Sequence, residues 1–225
     1  MNKFSDQKII ESWKSNVKPW ISAIRKNGIE SRLLVTNKAI VDAVIGTEAK
    51  SCLDAGCGEG WLVRELGRVG IDSLGVDVVP DFIESAQIEG GGRFKVIPYE
   101  NLSHDVIKEK FDVVVCNFSL LGNEAVVNLF EKVPFLLNPT GYFIVQTIHP
   151  VIACGDSDYI DGWREGTWSG FSNEFSNPAP WYFRTIETWK KLFLTNGFSI
   201  GNILEPMNKK TESPASIIFV GVKNS

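Results

Sequence analysis

Three glycines that follow a short buried strand give the clearest indication of chemistry in this chain. The segment SCLDAGCGEGW occupies residues 51–61, in which a strand-like run ends at Asp54 and Gly56, Gly58 and Gly60 then alternate. Glycine adopts positive φ angles at little cost and lets the main chain approach a ligand more closely than any side chain would allow. The turn is followed by apolar residues at helical spacing: Leu62, Val63, Leu66 and Val69. A strand, a glycine-rich turn and a helix at the first crossover of an α/β sheet form a nucleotide-binding crevice.

The spacing of the glycines and the next strand narrow the type of nucleotide. The dinucleotide pattern G-x-G-x-x-G would place its third glycine at position 61, which is Trp61. The next buried strand, SLGVD, ends at Asp77, and a carboxylate at that position can accept hydrogen bonds from both ribose hydroxyls. The pattern predicts a ligand with an adenosine-like ribose and without a pyrophosphate.

The motif LDAGCGEG, followed by GVD ending at Asp77, closely resembles the first two motifs of the class I methyltransferases. The resemblance continues through FDVVVCNFSLL (111–121), LNPTGYFIVQTIHP (137–150) and the closing segments LTNGFSIGNILEP and IIFVGVK. It covers most of residues 49–223 with the motifs in the right order. It implies S-adenosylmethionine as the cofactor, S-adenosylhomocysteine as the product, and methyl transfer to a small-molecule acceptor.

The resemblance also implies a cofactor site. Asp54 and the glycines would hold the methionine end and the sugar, and Asp77 the ribose hydroxyls. Pro98 stands where many relatives have an acidic residue that contacts adenine, so the main chain of Tyr99 and the side chain of Glu100 are expected to substitute. The complete predicted cofactor set is Arg32, Asp54, Gly56, Cys57, Gly58, Gly60, Trp61, Asp77, Val78, Tyr99, Glu100, Asn117 and Phe118.

Several members of this set leave alternatives open. Arg32 could make a two-pronged bond to the donor's carboxylate or form a surface ion pair. Cys57 could be a reactive thiol or simply a small residue that fits a crowded loop. Asn117 would lie near the methionyl group and Phe118 would line the pocket. The missing prolines of an Asn-Pro-Pro-Tyr signature disfavour methylation of an exocyclic base nitrogen.

His149 is the predicted catalytic residue. It ends the fifth strand, where it would lie close to the donor methyl, and an imidazole titrates near neutral pH as a general base must. The alternative is a histidine that only anchors the following loop or orients the substrate. No metal site is predicted.

The remaining pattern predicts the elements that position these residues. Residues 1–48 form a predicted N-terminal helical cap, with Pro19 separating two helices and Thr36 capping a third that ends before Gly46. From residue 49, strands and helices alternate, which predicts a doubly wound α/β domain over 49–225. Its seven-stranded sheet is mostly parallel and ends in an antiparallel strand pair. A helix at 122–137 should kink or break near Pro134.

A long aromatic segment, residues 151–183, follows the fifth strand without helical periodicity. It is expected to act as a lid over the acceptor, or else to pack onto the sheet or a partner in a homodimer. Its arginines could bind an anionic acceptor, and the tryptophans of the N-terminal helices could cap the pocket or belong to the core. The predicted substrate-binding residues are Trp13, Trp20, Trp163, Arg164, Trp181, Tyr182 and Arg184.

Composition limits the function class. A net charge of −4 over 225 residues disfavours nucleic acid as a partner. The four cysteines form no C-x-x-C pair, and the sequence shows neither a leader nor an apolar run of membrane length, which together predict a soluble, cytoplasmic protein. Two other classes stay open: a nicotinamide-dependent dehydrogenase, which the glycine spacing opposes, and a non-catalytic module that binds S-adenosylmethionine.

Overall fold

The structure is a computed structural model that describes residues 3–224. Buried, β-branched runs form the strands of one central sheet, and two short strand pairs lie outside it. The strands are β1 (Ser51–Ala55), β2 (Asp72–Asp77), β3 (Arg93–Val96), β4 (Phe111–Asn117), β5 (Leu137–Thr147), β6 (Gly162–Arg164), β7 (Trp181–Phe183), β8 (Phe198–Leu204), β9 (Met207–Asn208), β10 (Ser213–Pro214) and β11 (Ile217–Lys223).

The central sheet has seven strands in the order β3-β2-β1-β4-β5-β11-β8. The first five are parallel, while β11 is antiparallel to both β5 and β8. This confirms the predicted fold class, including the antiparallel C-terminal pair. The strand order reverses direction between β1 and β4, and in sheets of this type ligands bind beyond the carboxyl ends of the strands at that point.

Helices cover both faces of the sheet. They are α1 (Asp6–Ser15), α2 (Val17–Arg25), α3 (Asn37–Ile45), α4 (Trp61–Arg68), α5 (Pro80–Glu89), α6 (His104–Ile107), α7 (Glu124–Leu136), α8 (Pro150–Cys154) and α9 (Ile186–Thr195). On one face, Phe130, Phe143 and Phe193 pack in a large aromatic cluster with Leu53 and Val114. The other face is covered by α3 and α4. The sheet is therefore buried on both sides, as its continuous apolar strands require.

The N-terminal helices differ from the prediction in two details. The first break falls at Asn16 instead of Pro19, which lies in the first turn of α2, where its missing N–H costs no helical hydrogen bond. Thr36 precedes α3 but caps nothing with its side chain, because it ends a π-helical turn, Arg32–Thr36, that runs directly into α3. Pro134 lies inside α7, which ends two residues later at Leu136.

The two ends of the N-terminal region pack in different places. Ile40 and Val44 of α3 are buried against the sheet beside Cys52. By contrast, Val17 of α2 contacts Val79 and Phe82 above the sheet's carboxyl edge. Thus α3 belongs to the core of the sheet, and α1 and α2 lie over the edge where ligands bind.

The segment 151–183 carries more structure than its sequence indicated. It contains α8 and the antiparallel pair β6–β7. Trp168 contacts Trp13 at a ring-centroid distance of 5.7 Å, and Phe171 contacts Trp20 at 6.3 Å. This segment, which we call the aromatic insertion, therefore docks onto α1 and α2.

Candidate active site

The glycine turn lies directly beyond the carboxyl end of β1. The N–H groups of Gly56 and Cys57 donate to the carbonyl of Val76 at 2.8 and 3.0 Å, which ties the turn to β2. Gly56 has a φ of +81°, and a Cβ at this position would lie 2.4 Å from the Cβ of Ser119 and 2.5 Å from the hydroxyl of Tyr99. Only glycine fits here, for reasons of both backbone conformation and space.

Gly58 is the open position of the turn. Its φ is +54°, and the nearest atom to an added Cβ would be Nε1 of Trp20 at 3.8 Å. Its N–H donates to Oδ2 of Asp77 at 2.9 Å, while Oδ1 of Asp77 accepts from Val79 N–H at 2.9 Å. The main chain here faces open space, with the carboxylate of the neighbouring strand beside it.

Gly60 was predicted to contact the cofactor, but in the structure it is a packing position. An added Cβ would lie 2.5 Å from the ring of Phe94 and 3.1 Å from the Cβ of Ala86. Gly60 is not among the described residues that line the cavity next to the turn. It instead allows α4 to start close against β3 and α5.

Asp54 is a buried carboxyl group at the base of the turn. It is 1% exposed, and its Oδ1 has no hydrogen-bond partner among the described residues. Burial, followed by the negative charge of Asp77, raises its pKa to about 8, with Arg32 acting in the opposite direction. Burial also raises the pKa of Asp77, against the three backbone N–H donors of Gly58, Val78 and Val79. Two carboxyl groups in one buried site each favour a cationic neighbour.

Arg32 supplies a positive charge to the same site. Its guanidinium lies 5.0 Å from the ring centroid of Trp61, and Nε donates to Oδ1 of Asn37 at 3.0 Å. Burial lowers the pKa of Arg32 to about 10, while Glu59 and Asp54 oppose the shift. The arginine therefore stays protonated at neutral pH, its charge interacts with those of Glu59 and Asp54, and it forms no ion pair with another described residue.

A cavity of about 710 Å³ joins this charged region to a mainly apolar one. The predicted residues that line it are Trp13, Trp20, Arg32, Asp54, Gly56, Cys57, Gly58, Trp61, Asp77, Val78, Tyr99, Glu100, Asn117, Phe118, Trp181, Tyr182 and Arg184. The structure thus brings together most of the cofactor and substrate candidates, which lie far apart in the sequence.

The end of β4 forms the floor between the two regions. Oδ1 of Asn117 is buried without a hydrogen-bond partner among the described residues. Phe118 adopts a φ of +54°, which is uncommon for a bulky residue, while its N–H donates to Gln146 at 2.8 Å. Ser119 and Tyr99 both donate to the carbonyl of Ala55, at 2.7 and 3.2 Å. Tyr99 therefore supports the glycine turn from beneath with its side chain.

Cys57 packs as a small residue within the turn. Its Sγ would lie 2.8 Å from a Cβ added at Gly75, and burial raises the pKa of the thiol. A raised pKa suppresses the thiolate, which is the nucleophilic form. The packing alternative is favoured over a reactive thiol.

His149 lies apart from the cavity. Its ring is 5% exposed, Nε2 is 2.9 Å from Oε1 of Glu205, and His149 is absent from the described residues that line the cavity. Its neighbours Ile148 and Pro150 do line it. This geometry favours the alternative, in which the histidine anchors the following loop, over a general base that faces the donor methyl.

Two predicted substrate residues also lie outside the cavity lining. The indole of Trp163 contacts Phe4 and Tyr182 at centroid distances of 6.2 and 5.5 Å. Arg164 donates to the carbonyls of Asp158 and Ile160, which holds the start of the aromatic insertion. Neither residue is among the described residues that line the cavity.

Sequence reasoning missed two carboxylates in the cavity wall. Glu59, 2% exposed, is 2.5 Å from Nη2 of Arg64. Asp6 accepts from the N–H groups of Asn123 and Ala125, both at 2.7 Å, and so caps the start of α7 from the other end of the chain. The G-E-G sequence could have drawn attention to Glu59, whereas no local signal pairs residue 6 with α7.

Comparison with known proteins agrees with this arrangement. A family model described as a methyltransferase domain matches residues 31–201, which is more than half of the chain. The chain belongs to the methyltransferase-domain family. Membership confirms the resemblance that the glycine turn and Asp77 indicated.

Individual relatives match parts of this family member. It is 32% identical over 101 residues to a ubiquinone biosynthesis O-methyltransferase of Bartonella tribocorum, which covers 43% of the chain and 40% of the relative. It is 38% identical over 177 residues to an uncharacterized methyltransferase of Schizosaccharomyces pombe, which covers 72% of the chain and 64% of the relative. The chain thus spans less than two thirds of the length of these relatives.

A solved structure with a similar fold contains bound ligands. The 1,6-didemethyltoxoflavin-N1-methyltransferase of Burkholderia thailandensis was crystallised with 1,6-didemethyltoxoflavin and S-adenosylhomocysteine. It matches with a TM-score of 0.63 at 18% identity, over 96% of this chain and 91% of that one. The S-adenosylhomocysteine bound to this neighbour agrees with the predicted cofactor, S-adenosylmethionine.

Within residues 3–224, no helix combines the length and apolar character needed to cross a membrane.

Proposed function

We propose that this protein transfers a methyl group from S-adenosylmethionine to a small molecule. The observation that carries the proposal is the single cavity in which the open main chain of Gly58, the carboxylate of Asp77 and the aromatic insertion meet. One end of the cavity has the groups that a sulfonium nucleoside needs, and the other end has apolar rings suited to an acceptor.

The residues at the charged end fit the donor. Asp77 would accept the ribose hydroxyls, since each of its oxygens has a lone pair beyond the one used by Gly58 or Val79. Oδ1 of Asp54, which lacks a partner among the described residues, suits the methionyl ammonium group. Arg32 suits the methionyl carboxylate. Val78 and Glu100 also line the cavity and would contact the adenine.

The acceptor would enter beneath α1, α2 and the aromatic insertion. Asn16 holds these parts together: its amide donates to the carbonyl of Ser176 at 2.7 Å and its Oδ1 accepts from the N–H of Ser176 at 2.9 Å. We propose that this contact closes the cavity over both reactants and excludes water, as methyl transfer requires.

The chemistry asks for positioning more than for covalent participation by the protein. When bound, the donor would supply a methyl group already activated by the positive sulfur: the acceptor's lone pair would form the new bond to the methyl carbon while the carbon–sulfur bond breaks and its electron pair stays on the sulfur of S-adenosylhomocysteine. The chain's residues hold the two reactants at contact and keep the buried site dry. Because His149 is bonded to Glu205 and lies outside the cavity lining, we propose that it positions the end of β5 and does not take the acceptor's proton.

Calorimetry with S-adenosylhomocysteine tests the donor site. Wild type should bind it at micromolar concentration, and Asp77→Ala should weaken binding at least about tenfold, or about 1.4 kcal/mol, since the ribose loses its acceptor. Asp72→Ala, at the exposed opposite end of β2, is the matched control and should bind normally. Equal affinity of the two variants would remove Asp77 from the ribose role.

Two further measurements separate the rival functions. NAD should leave the thermal transition unchanged while S-adenosylhomocysteine raises it; the reverse result would favour a dehydrogenase. S-adenosylmethionine incubated with metabolite extracts should be converted to S-adenosylhomocysteine only when the protein is present. Donor binding without turnover across many extracts would favour a non-catalytic module.

A further inference from the structure

Arg184 is a buried cation in the wall of the apolar end of the cavity. It follows directly after β7, and it is 3% exposed. Of the described side chains that line the cavity, only Arg32 and Arg184 are cationic. The charge of Arg32 interacts with those of Glu59 and Asp54 at the donor end of the cavity, so Arg184 is the cation available to the acceptor.

No carboxylate of the described residues forms an ion pair with Arg184. Among the ion pairs formed by residues 3–224, none includes it. The nearby carboxylates are engaged elsewhere: Asp6 accepts from two N–H groups at the start of α7, and Oδ1 of Asp161 accepts from Thr185 N–H at 2.7 Å. A buried charge without a counter-ion is costly, and an anion that enters beside it recovers part of that cost.

The surroundings of Arg184 also determine how an anion could approach. Nη1 donates to the carbonyl of Gly122 at 2.7 Å, and Nη2 contacts Asn123 through its carbonyl at 3.0 Å and Oδ1 at 3.3 Å. The hydrogen bonds that Arg184 forms with described residues use only Nη1 and Nη2, so Nε–H has no acceptor among those residues. The guanidinium carbon lies 4.7 Å from the ring centroid of Tyr182 and 5.3 Å from that of Trp189. Its position is thus held by two rings and a loop, while a donor remains free.

The rest of this region is apolar and aromatic. Tyr182 and Trp189 lie beside the guanidinium and line the cavity together with Trp181, while Trp168 and Phe171 line the same cavity where they contact Trp13 and Trp20. Flat side chains of this kind favour a flat, apolar ligand through stacking and burial of its faces. One fixed cation within such a wall favours one negative group at the ligand's edge.

We infer that the methyl acceptor is a flat, largely apolar molecule with one acidic group, and that Arg184 binds this group in its anionic form. The inference rests on the proposed function and names the acceptor class of the same cavity. Arg184 acts as a binding residue in it. Arg164, the other arginine that flanks the aromatic insertion, has no such part because it lies outside the cavity lining.

A purely structural part for Arg184 would predict different behaviour. If the guanidinium only held the loop at Gly122 and Asn123, its removal would disturb apolar ligands of every charge alike. If it binds an anion, wild type itself must discriminate between a charged and a neutral ligand of the same shape. That comparison needs no variant, so it holds even if a substitution impairs folding.

The experiment compares 2-naphthoate, which is anionic near neutral pH, with the neutral 2-naphthamide. Binding of each to the full chain is measured by calorimetry with S-adenosylhomocysteine present at saturation. Wild type should bind naphthoate at least about tenfold more tightly than naphthamide, as expected for a charge-assisted hydrogen bond in a buried site. Arg184→Gln should abolish this preference and Arg184→Lys should keep part of it. Arg164→Gln should leave it intact.

Each other outcome overturns the inference. Equal affinity of wild type for the two naphthalenes would show that the cavity does not select an anion, and binding of neither would exclude the proposed acceptor class. If Arg184→Gln still preferred naphthoate to naphthamide, a group other than Arg184 would bind the anion. Failure of S-adenosylhomocysteine to bind, which is measured first, would instead refute the proposed function.

Discussion

Asp54→Asn should make the unliganded protein more stable at neutral pH, and the gain should grow as the pH rises. Asp54 lies buried below the glycine turn, with Oδ1 unpaired among the described residues. Burial in the first place, and then the charge of Asp77, raises its pKa from 3.8 to about 8. Asparagine has nearly the same shape as the protonated carboxyl group but never acquires the charge.

The direction follows from proton linkage. The folded protein holds this proton more tightly than the unfolded chain, in which the pKa returns to 3.8. The contribution of Asp54 to the free energy of unfolding is therefore complete below about pH 4 and is lost as the pH rises toward 8. The loss is about 1.4 kcal/mol for each pH unit in that window, or roughly 3 kcal/mol between about pH 5 and about pH 7.

Urea unfolding of wild type and Asp54→Asn at about pH 5, 6 and 7 measures this loss directly. The stability difference between the two proteins should widen in favour of the variant by roughly 3 kcal/mol, since the contributions of other groups cancel. Binding of S-adenosylhomocysteine should weaken in the variant, because asparagine cannot acquire the negative charge that Asp54 would gain beside the methionyl ammonium. If the free energies of unfolding of wild type and Asp54→Asn changed by the same amount between about pH 5 and about pH 7, the raised pKa of Asp54 would be refuted.

Two further changes test the turn and the cover of the cavity. Gly58→Ala should weaken S-adenosylhomocysteine binding at least about tenfold, because the added methyl group fills the open face of the turn. Gly70→Ala is the control: its φ is also positive and no atom lies within 4 Å of the added Cβ, so each variant should lose about 1 kcal/mol of stability but only Gly58→Ala should bind weakly. Equal affinities of the two variants in calorimetry would contradict this. Asn16→Ala should speed hydrogen exchange at the Ser176 amide about tenfold or more, because the N–H and the carbonyl of Ser176 both lose their partner. Ser15→Ala, on the exposed side of α1, should leave this exchange rate unchanged. Unchanged exchange in Asn16→Ala would show that the contact does not hold the aromatic insertion.

Most of the central sheet follows from local sequence. The predicted alternation of strands and helices, the mostly parallel seven-stranded sheet and its antiparallel C-terminal pair are present in the structure, and β5 begins at Leu137, ahead of a Pro-Thr-Gly run. Leu137 pairs with Phe111, but the next pair in the parallel ladder is Val113 with Tyr142, so residues 138–141 form a register irregularity within the strand. A Pro-Thr-Gly run is a turn signal on its own, and only the pairing of Leu137 before it and Tyr142 after it with β4 keeps it within β5.

The donor end of the candidate site was also largely predictable. Short-range spacing in the sequence indicates Gly56, Gly58 and Asp77, because the turn and the strand that follows it are built from residues close together in the chain. Gly60 was the exception. Its type indicated a ligand contact, whereas its neighbours Phe94 and Ala86 come from later elements and make it a packing position.

The chain by itself determined the alternation of strands and helices, the turn that leaves Gly58 bare, and the carboxylate beside it. Only the tertiary structure decided that Arg184 lines the cavity while Arg164, at the other strand of the same pair, does not. It also decided that His149 contacts Glu205, and that Asp6 caps α7 more than a hundred residues away. The physical reason is range: backbone propensity and burial periodicity act within a few residues, whereas burial of a charge and closure of a cavity depend on what distant segments bring to the same place.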